Sequence, residues 1–284
     1  MKSAISASLG ATLALVLATP AMAQEGDKVD WTGPYVGLSF GYNWQSRDNQ
    51  ENLRFDTNGD GTYNDVVRTG AGADAFSPGF CGGASTSGVG EPRRRCNGDK
   101  DAIGWNVHAG YDRQFGNIVA GVVVEGGDKY ISDSVTGFST TPASYTMTRR
   151  IGWDAAGRVR LGVTTDSGIM AYGTGGIAYA KVKNSFSHTQ ASATANSFIP
   201  TDSKEDAWGW TVGGGVEAKV ADNFSIGLLY KFTRYNVGDY NVRVERGGAA
   251  ATNPFIITPA GYTDVNRGDK FDVHSTMVTA SFRF

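Results

Sequence analysis

Six charged residues, Asp112, Glu125, Arg158, Arg160, Glu217 and Lys231, fall on the polar side of alternating segments, so they share the inner side of any sheet that closes on itself. Charge in a narrow interior needs partners, because an unpaired buried ion is costly. The spacing therefore predicts a paired network, with Glu125 and Arg158 or Arg160 on neighbouring strands as its centre. Such a network plugs an interior. Its functional counterpart is a gate or narrow conduction path.

Other constellations point to different chemistry. Asp56, Asn58, Asp60 and Thr62, followed by Asn64, place oxygen ligands at the first, third and fifth positions of a Ca²⁺ loop, with Gly61 at the sixth for the sharp turn. Val67 stands where the bidentate Glu would be, so a weak calcium site competes with a plain Asx-Gly turn cluster. Cys81 and Cys96 are the only two cysteines, and in an exported chain they are expected to pair. Arg93-Arg94-Arg95, Arg149-Arg150 and Lys129 are expected at or above the ends of the alternating segments, where phosphate groups would meet them or water would solvate them. Gly173 to Ala178 satisfies G-x-G-x-x-A, but no strand-helix unit surrounds it and it carries no dinucleotide reading. None of His108, His188 and His274 has a serine on its own face within visible reach, so no nucleophilic pair supports an enzyme. Neither basic-aromatic interleaving nor strong net charge suggests nucleic acid.

The elements that position these residues are strands. Residues 270–284 end with Val278, Ala280, Phe282 and Phe284 on one face and Thr279, Ser281 and Arg283 on the other. Val36, Leu38, Phe40, Tyr42 and Trp44 alternate with Gly37, Ser39, Gly41 and Asn43 in the same way. Further strands run from Ile103, from Ile118 to about Gly127, from Ile151 to Val163, from Ile169 to about Lys183, through Trp208 to Val220, and through Ile226 to Phe232. Ile151 is assigned to the outer face of its strand, and the strand from Ile169 shows no clear phase. Between the strands, tight turns at Gly116-Asn117, Thr165 to Gly168 and Ala221 to Asn223 alternate with long polar stretches at about 45–101, 129–148, 184–205 and 236–268. Trp44, Trp105, Trp153, Trp208 and Trp210 gather near strand ends, as an aromatic girdle at a membrane interface would. A soluble ligand-carrying barrel would instead need Trp105, Trp153 and Trp210 inside.

The chain has 284 residues, 39 of them Gly, and formal net charge −2. A mean hydropathy of −0.28 does not exclude a membrane barrel, which shows lipid only every second residue of each strand. Lys2, the apolar run from Ala4 to Ala18 and Ala21-Met22-Ala23 predict a cleaved secretory signal over residues 1–23, leaving a mature domain over 24–284. No later apolar stretch could be a membrane helix, so insertion must be by strands.

Trp31-Thr-Gly-Pro-Tyr-Val-Gly, Gly-Gly-Ile-Ala-Tyr ending at Tyr179, and the terminal Ser-Phe-Arg-Phe resemble the alphaproteobacterial outer-membrane β-barrel proteins of the opacity and immunogenic-porin type. The resemblance implies an OmpA-domain-like barrel inserted by the barrel assembly machinery, which reads the aromatic end at Phe282 and Phe284. The first loop is larger than the family pattern, so loop-borne adhesion does not carry over.

The expected fold is all-β: an eight-stranded antiparallel transmembrane up-and-down barrel with four long extracellular loops and short periplasmic turns. Outer-membrane lipid and lipopolysaccharide are the expected surroundings, with an extracellular ligand or host surface as a further partner. No cofactor is expected beyond calcium in the first loop. A surface-presenting scaffold is the leading role, ahead of a small-solute porin and a calcium-stiffened adhesin.

Overall fold

The computed structural model describes residues 29–45, 51–86, 96–191, 194–238, 240–268 and 270–284. The signal expected at 1–23 and the arginines at 93–95 lie outside the described residues. Eight long strands form the body: β1 (Gly33–Gln45), β2 (Ala102–Phe115), β3 (Ile118–Ser139), β4 (Ala143–Thr164), β5 (Ile169–His188), β6 (Lys204–Ala221), β7 (Phe224–Asn236) and β8 (Lys270–Arg283). Each pairs antiparallel with the next, and β8 closes on β1 in a register running from Tyr35↔Arg283 to Gln45↔Val273. Closure satisfies the edge amides that lipid could not hydrate.

Alternation decides which way each side chain faces. Leu38, Val124, Val159, Leu161, Ile177 and Val278 are each more than 60% exposed, an arrangement that water would penalise and lipid rewards. Trp105, Trp153, Trp208 and Trp210 are exposed on the same outer surface, while Trp44 is half-buried against His274, its ring centroid 5.4 Å away. Together with Tyr42, Tyr179 and Tyr230 they ring the barrel toward its long-loop end, Tyr179 touching both Trp153 and Trp208. At the other end the turns are short, and Gly116 and Gly168 take φ of 62° and 76°, which a residue with a Cβ adopts only under strain.

The phase left open for the fifth strand resolves into Ile169, Ala171, Ile177 and Tyr179 outward, with Met170, Thr174, Ala178 and Ala180 inward. Two expectations are corrected. Residues 129–148 are not a polar loop: β3 and β4 continue as a hairpin that turns only at residues 140–142. About 9–11 tilted residues cross a bilayer, so the upper halves of these 22-residue strands stand beyond it. Ile151 is not on the outer face either, and is fully buried in the interior. The register shifts between Asp128 and Ile131 and between Ile151 and Asp154, where Tyr130 sits at φ 54°. In β4 the irregularity moves the residues beyond it to the opposite face, so that Ile151 turns inward, while β3 keeps its alternation.

The long stretches also fold. Ser197–Pro200, Val242–Glu245, Thr263–Arg267 and Leu53–Asp56 form a four-stranded antiparallel sheet in that order, drawn from three different loops. Gly79–Gly82 adds to the edge of the β3 extension. Beneath them lies a core of Phe55, Phe76, Val135, Tyr145, Met147 and Phe255, with Phe55 and Phe76 ring centroids 4.6 Å apart. The long-loop end is thus a folded lobe with its own hydrophobic centre.

Candidate functional site: the charged lumen and its mouth

The interior of an eight-stranded barrel is about wide enough for side chains to fill it. Reading inward-facing positions of β3 from its short-turn end, Val119, Glu125, Lys129, Ile131 and Asp133 each belong to a successive tier. Trp31, fully buried with Val119 and Met170, closes the bottom, its indole donating to Thr164 at 2.9 Å. Arg283 donates from above to Asp112 at 2.8 Å and to the carbonyl of Gly33 at 3.1 Å. Arg160 holds both oxygens of Asp112 and reaches Glu217 at 3.0 Å, where Ser225 also donates at 2.6 Å. The Arg160 guanidinium lies over Tyr35 and Tyr172, 4.8 and 5.0 Å from the ring centroids.

Glu125 forms the next tier, accepting from Arg158 at 2.7 Å and from Lys231 through its other oxygen. Above it Lys129 contacts Asp154 and the Tyr235 hydroxyl, both at 2.8 Å. An apolar layer of Ile131, Ile151, Val182, Phe271 and Val273 follows. Small residues make room for the large ones: a Cβ at Gly121 would collide with the Asp112 carboxylate, and one at Gly37 with the His108 ring. A cavity of about 20 Å³ among Tyr35, His108, Arg158, Arg160 and Glu217 has room for roughly one water.

The six charges expected in the lumen all lie there, each at most 7% exposed. The pairing is wider than Glu125 with one arginine, because Asp112 and Glu217 share Arg160. Sequence reasoning left out Arg283, although its place on the polar face of the last strand pointed inward. It also left out the Lys129–Asp154–Tyr235 set. Lys129 and Arg149 do not meet phosphates at the surface: both are buried, and Arg149 donates to Asp133 at 2.6 Å. Arg150 is exposed. His108 accepts or donates to Ser39 at 3.1 Å and Ser281 at 3.0 Å, a serine pairing across strands that alternation along one strand could not reveal. All three are buried in the lumen.

At the mouth, Arg267 joins Arg149 on Asp133, at 2.8 Å, and reaches Glu51 at 3.4 Å. A cavity of about 320 Å³ opens beside them, lined in part by Glu51, Arg54, Asp133, Arg149, Arg234 and Arg267. Burial, with the Asp133 charge second, pushes Glu51 up to about 7, and the same two causes push Asp99 up to about 6.

In the first loop, Asp56 Oδ1 accepts the amides of Asn58 at 3.2 Å and Gly59 at 2.7 Å, and Oδ2 accepts that of Gly61 at 2.8 Å. Asn58 Oδ1 accepts from Asp60 at 2.9 Å, Asp60 Oδ1 from Thr62 at 2.7 Å, and the Thr62 carbonyl from Asn64 at 3.1 Å. The Thr62 amide holds the Asp60 carboxyl below its ordinary value. Cys81 and Cys96 are disulfide-bonded, their Cα atoms 6.5 Å apart.

A closed antiparallel barrel with an apolar outer band, an aromatic girdle and a packed polar interior defines an integral outer-membrane β-barrel protein. Residues 10–284 match the family described as outer membrane protein beta-barrel domain, and the chain belongs to that family. It is 29% identical over 253 residues to the 31 kDa outer-membrane immunogenic protein of Brucella melitensis, covering 82% of this chain and 87% of that one. It is 32% identical over 165 residues to the 22 kDa outer membrane protein of Rhizobium leguminosarum bv. viciae, covering 57% and 66%. The solved outer membrane protein OprG of Pseudomonas aeruginosa superposes with a TM-score of 0.48 at 11% identity, covering 91% of this chain and all of OprG.

Proposed function

We propose that this protein is a non-conducting outer-membrane barrel whose work is to anchor and present a folded extracellular lobe. The observation that carries the reading is the uninterrupted stack of lumen tiers, from Trp31 through the Asp112–Arg160–Glu217 and Glu125–Arg158–Lys231 networks to the apolar layer at Ile131 and Phe271. A solute path would have to break several buried ion pairs at once. The lobe supports the presenting half of the reading, since its core joins the first loop, the β3–β4 hairpin and the last loop into one surface. Outer-membrane lipid surrounds the apolar band, and Phe284, exposed at the C-terminus, is the end offered to the barrel assembly machinery.

Proteoliposomes holding the refolded mature chain test this. Swelling in small sugars or amino acids at the rate of protein-free liposomes is expected. Rapid swelling that depends on folded protein would make the small-solute porin the better reading.

A further inference from the structure

Three carboxylates from three separate segments converge at the mouth. Glu51 precedes the lobe strand Leu53–Asp56, whose Leu53 pairs with Arg267. Asp99 lies near the end of the first long loop, next to Lys100, whose backbone bridges Ser132 in both directions at 3.0 and 3.2 Å. Asp133 is on the β3 extension. One oxygen from each of the three lies within 4.8 Å of those of the other two.

Among the described residues each carboxylate places one oxygen on a protein donor. Glu51 Oε1 accepts from Arg267, Asp99 Oδ1 from the amide of Ser134 at 2.8 Å, and Asp133 Oδ2 from Arg149 and Arg267. The remaining oxygens of two of them have no donor among the described residues: Asp133 Oδ1, on a residue only 1% exposed, and Glu51 Oε2 are both enclosed and unsatisfied. Buried carboxylate oxygens without a partner are rare in folded proteins and call for an occupant. Arg149 and Arg267 contact the cluster directly, while Arg54, Arg234, Lys270 and Asp272 line the adjoining cavity. The donors are all hard oxygens, and the adjoining cavity of about 320 Å³ has room for the waters that complete a coordination sphere.

We propose that Glu51, Asp99 and Asp133 form a site for one hard divalent cation, of the calcium or magnesium class, that ties both ends of the first loop to the barrel mouth. The site differs from the Asp56–Asp60 turn, whose carboxylates are turned to the amides of that turn itself. Its competitor is a single proton shared between Glu51 and Asp133, which would satisfy the same oxygens without any metal.

The test uses the mature chain refolded in lipopolysaccharide-free detergent, stripped with chelator, and titrated with calcium chloride by calorimetry at pH 7.5. One saturable site with a dissociation constant of about 10⁻⁴ to 10⁻³ M is expected, in the range of extracellular calcium modules, together with slower proteolysis of the first loop. Glu51→Gln and Asp99→Asn should each weaken binding by roughly tenfold or more, while Asp60→Ala leaves it unchanged. Both ligand variants leave the lumen tiers intact, and their shifted gel mobility without boiling checks that they fold. No saturable heat up to about 10 mM calcium, well above that range, would overturn the site in favour of the shared proton. Binding that survives Glu51→Gln and is lost in Asp60→Ala would overturn it in favour of the first-loop turn.

Discussion

Glu125→Gln is the substitution that most sharply probes the lumen. Glu125 is the shared partner of Arg158 and Lys231, whose side chains are 4% and 1% exposed. The amide keeps the shape but removes the charge, leaving two cations facing each other in a space with almost no water. Breaking a buried pair from one side costs about 3–5 kcal/mol, mostly because the remaining charge is stranded. Among the described residues Arg158 keeps only its bond to Thr174 at 3.2 Å and Lys231 has no second carboxylate within ion-pair distance, so the upper half of that range applies. Equilibrium urea unfolding in lipid vesicles, followed by tryptophan fluorescence, measures the change as a drop in midpoint at constant slope. Replacing Glu125, Arg158 and Lys231 together with Met should recover most of the loss, since a buried ionic set exchanged for apolar residues of similar volume is often neutral. A loss below about 1 kcal/mol for Glu125→Gln would refute the argument, because that is the worth of a solvated surface pair.

Three further outcomes follow from other parts of the fold. Val159→Arg places a charge on the outer band at a residue 64% exposed, and should cost about 2–4 kcal/mol and impair insertion if that position meets mid-bilayer lipid; normal heat-modifiable assembly would contradict the face assignment. Phe76→Ala removes the ring that touches Phe55, Phe80, Tyr145 and Phe255, and should cost the lobe about 3–5 kcal/mol while the barrel keeps its folded gel mobility, read by hydrogen exchange of the loop amides. In chelator, exchange protection of the lobe near Glu51 and Asp99 should fall as pH rises from about 4 to about 7. Both carboxyls have folded values raised above their ordinary ones, so the native state holds more protons across that window and loses the advantage as they leave. Asp133 opposes their ionisation while Arg149 and Arg267 favour it. Glu51→Gln should flatten the profile, and an unchanged slope in that variant would contradict the assignment.

The barrel was legible because its signal repeats every two residues over long stretches. Val278 to Phe284 and Val36 to Trp44 state their faces without any partner, and the short turns carry Gly at the positions that need positive φ. The fifth strand was opaque because Gly173, Gly175, Gly176 and Ala178 put small residues on both faces, and only pairing with β4 and β6 fixes them. Ile151 and Lys129 differ from the sequence reading for separate reasons: a bulge between Ile151 and Asp154 changes the face of β4 without leaving a sequence mark, while Lys129 keeps the inward phase of Glu125 in a polar stretch of β3 that resembles a loop. The lobe was hidden because its strands are only four or five residues long, and Leu53–Asp56 finds its partner more than two hundred residues away at Thr263–Arg267. The charges at Asp112, Glu125, Arg158, Arg160, Glu217 and Lys231 could be assigned to the lumen from alternation alone. Which cation meets which carboxylate depends on the shear of the barrel, which no single strand encodes.

The central claim is that the lumen is closed, and single-channel recording tests it most directly. The refolded mature chain, its folded state checked by gel mobility without boiling, is added to a planar lipid bilayer and current is followed in concentrated salt. A quiet baseline is predicted, with no protein-dependent steps. Steady, reproducible openings, altered by Glu125→Gln or by substitution of Arg158 or Arg160, would show that these charges line a path instead of filling it.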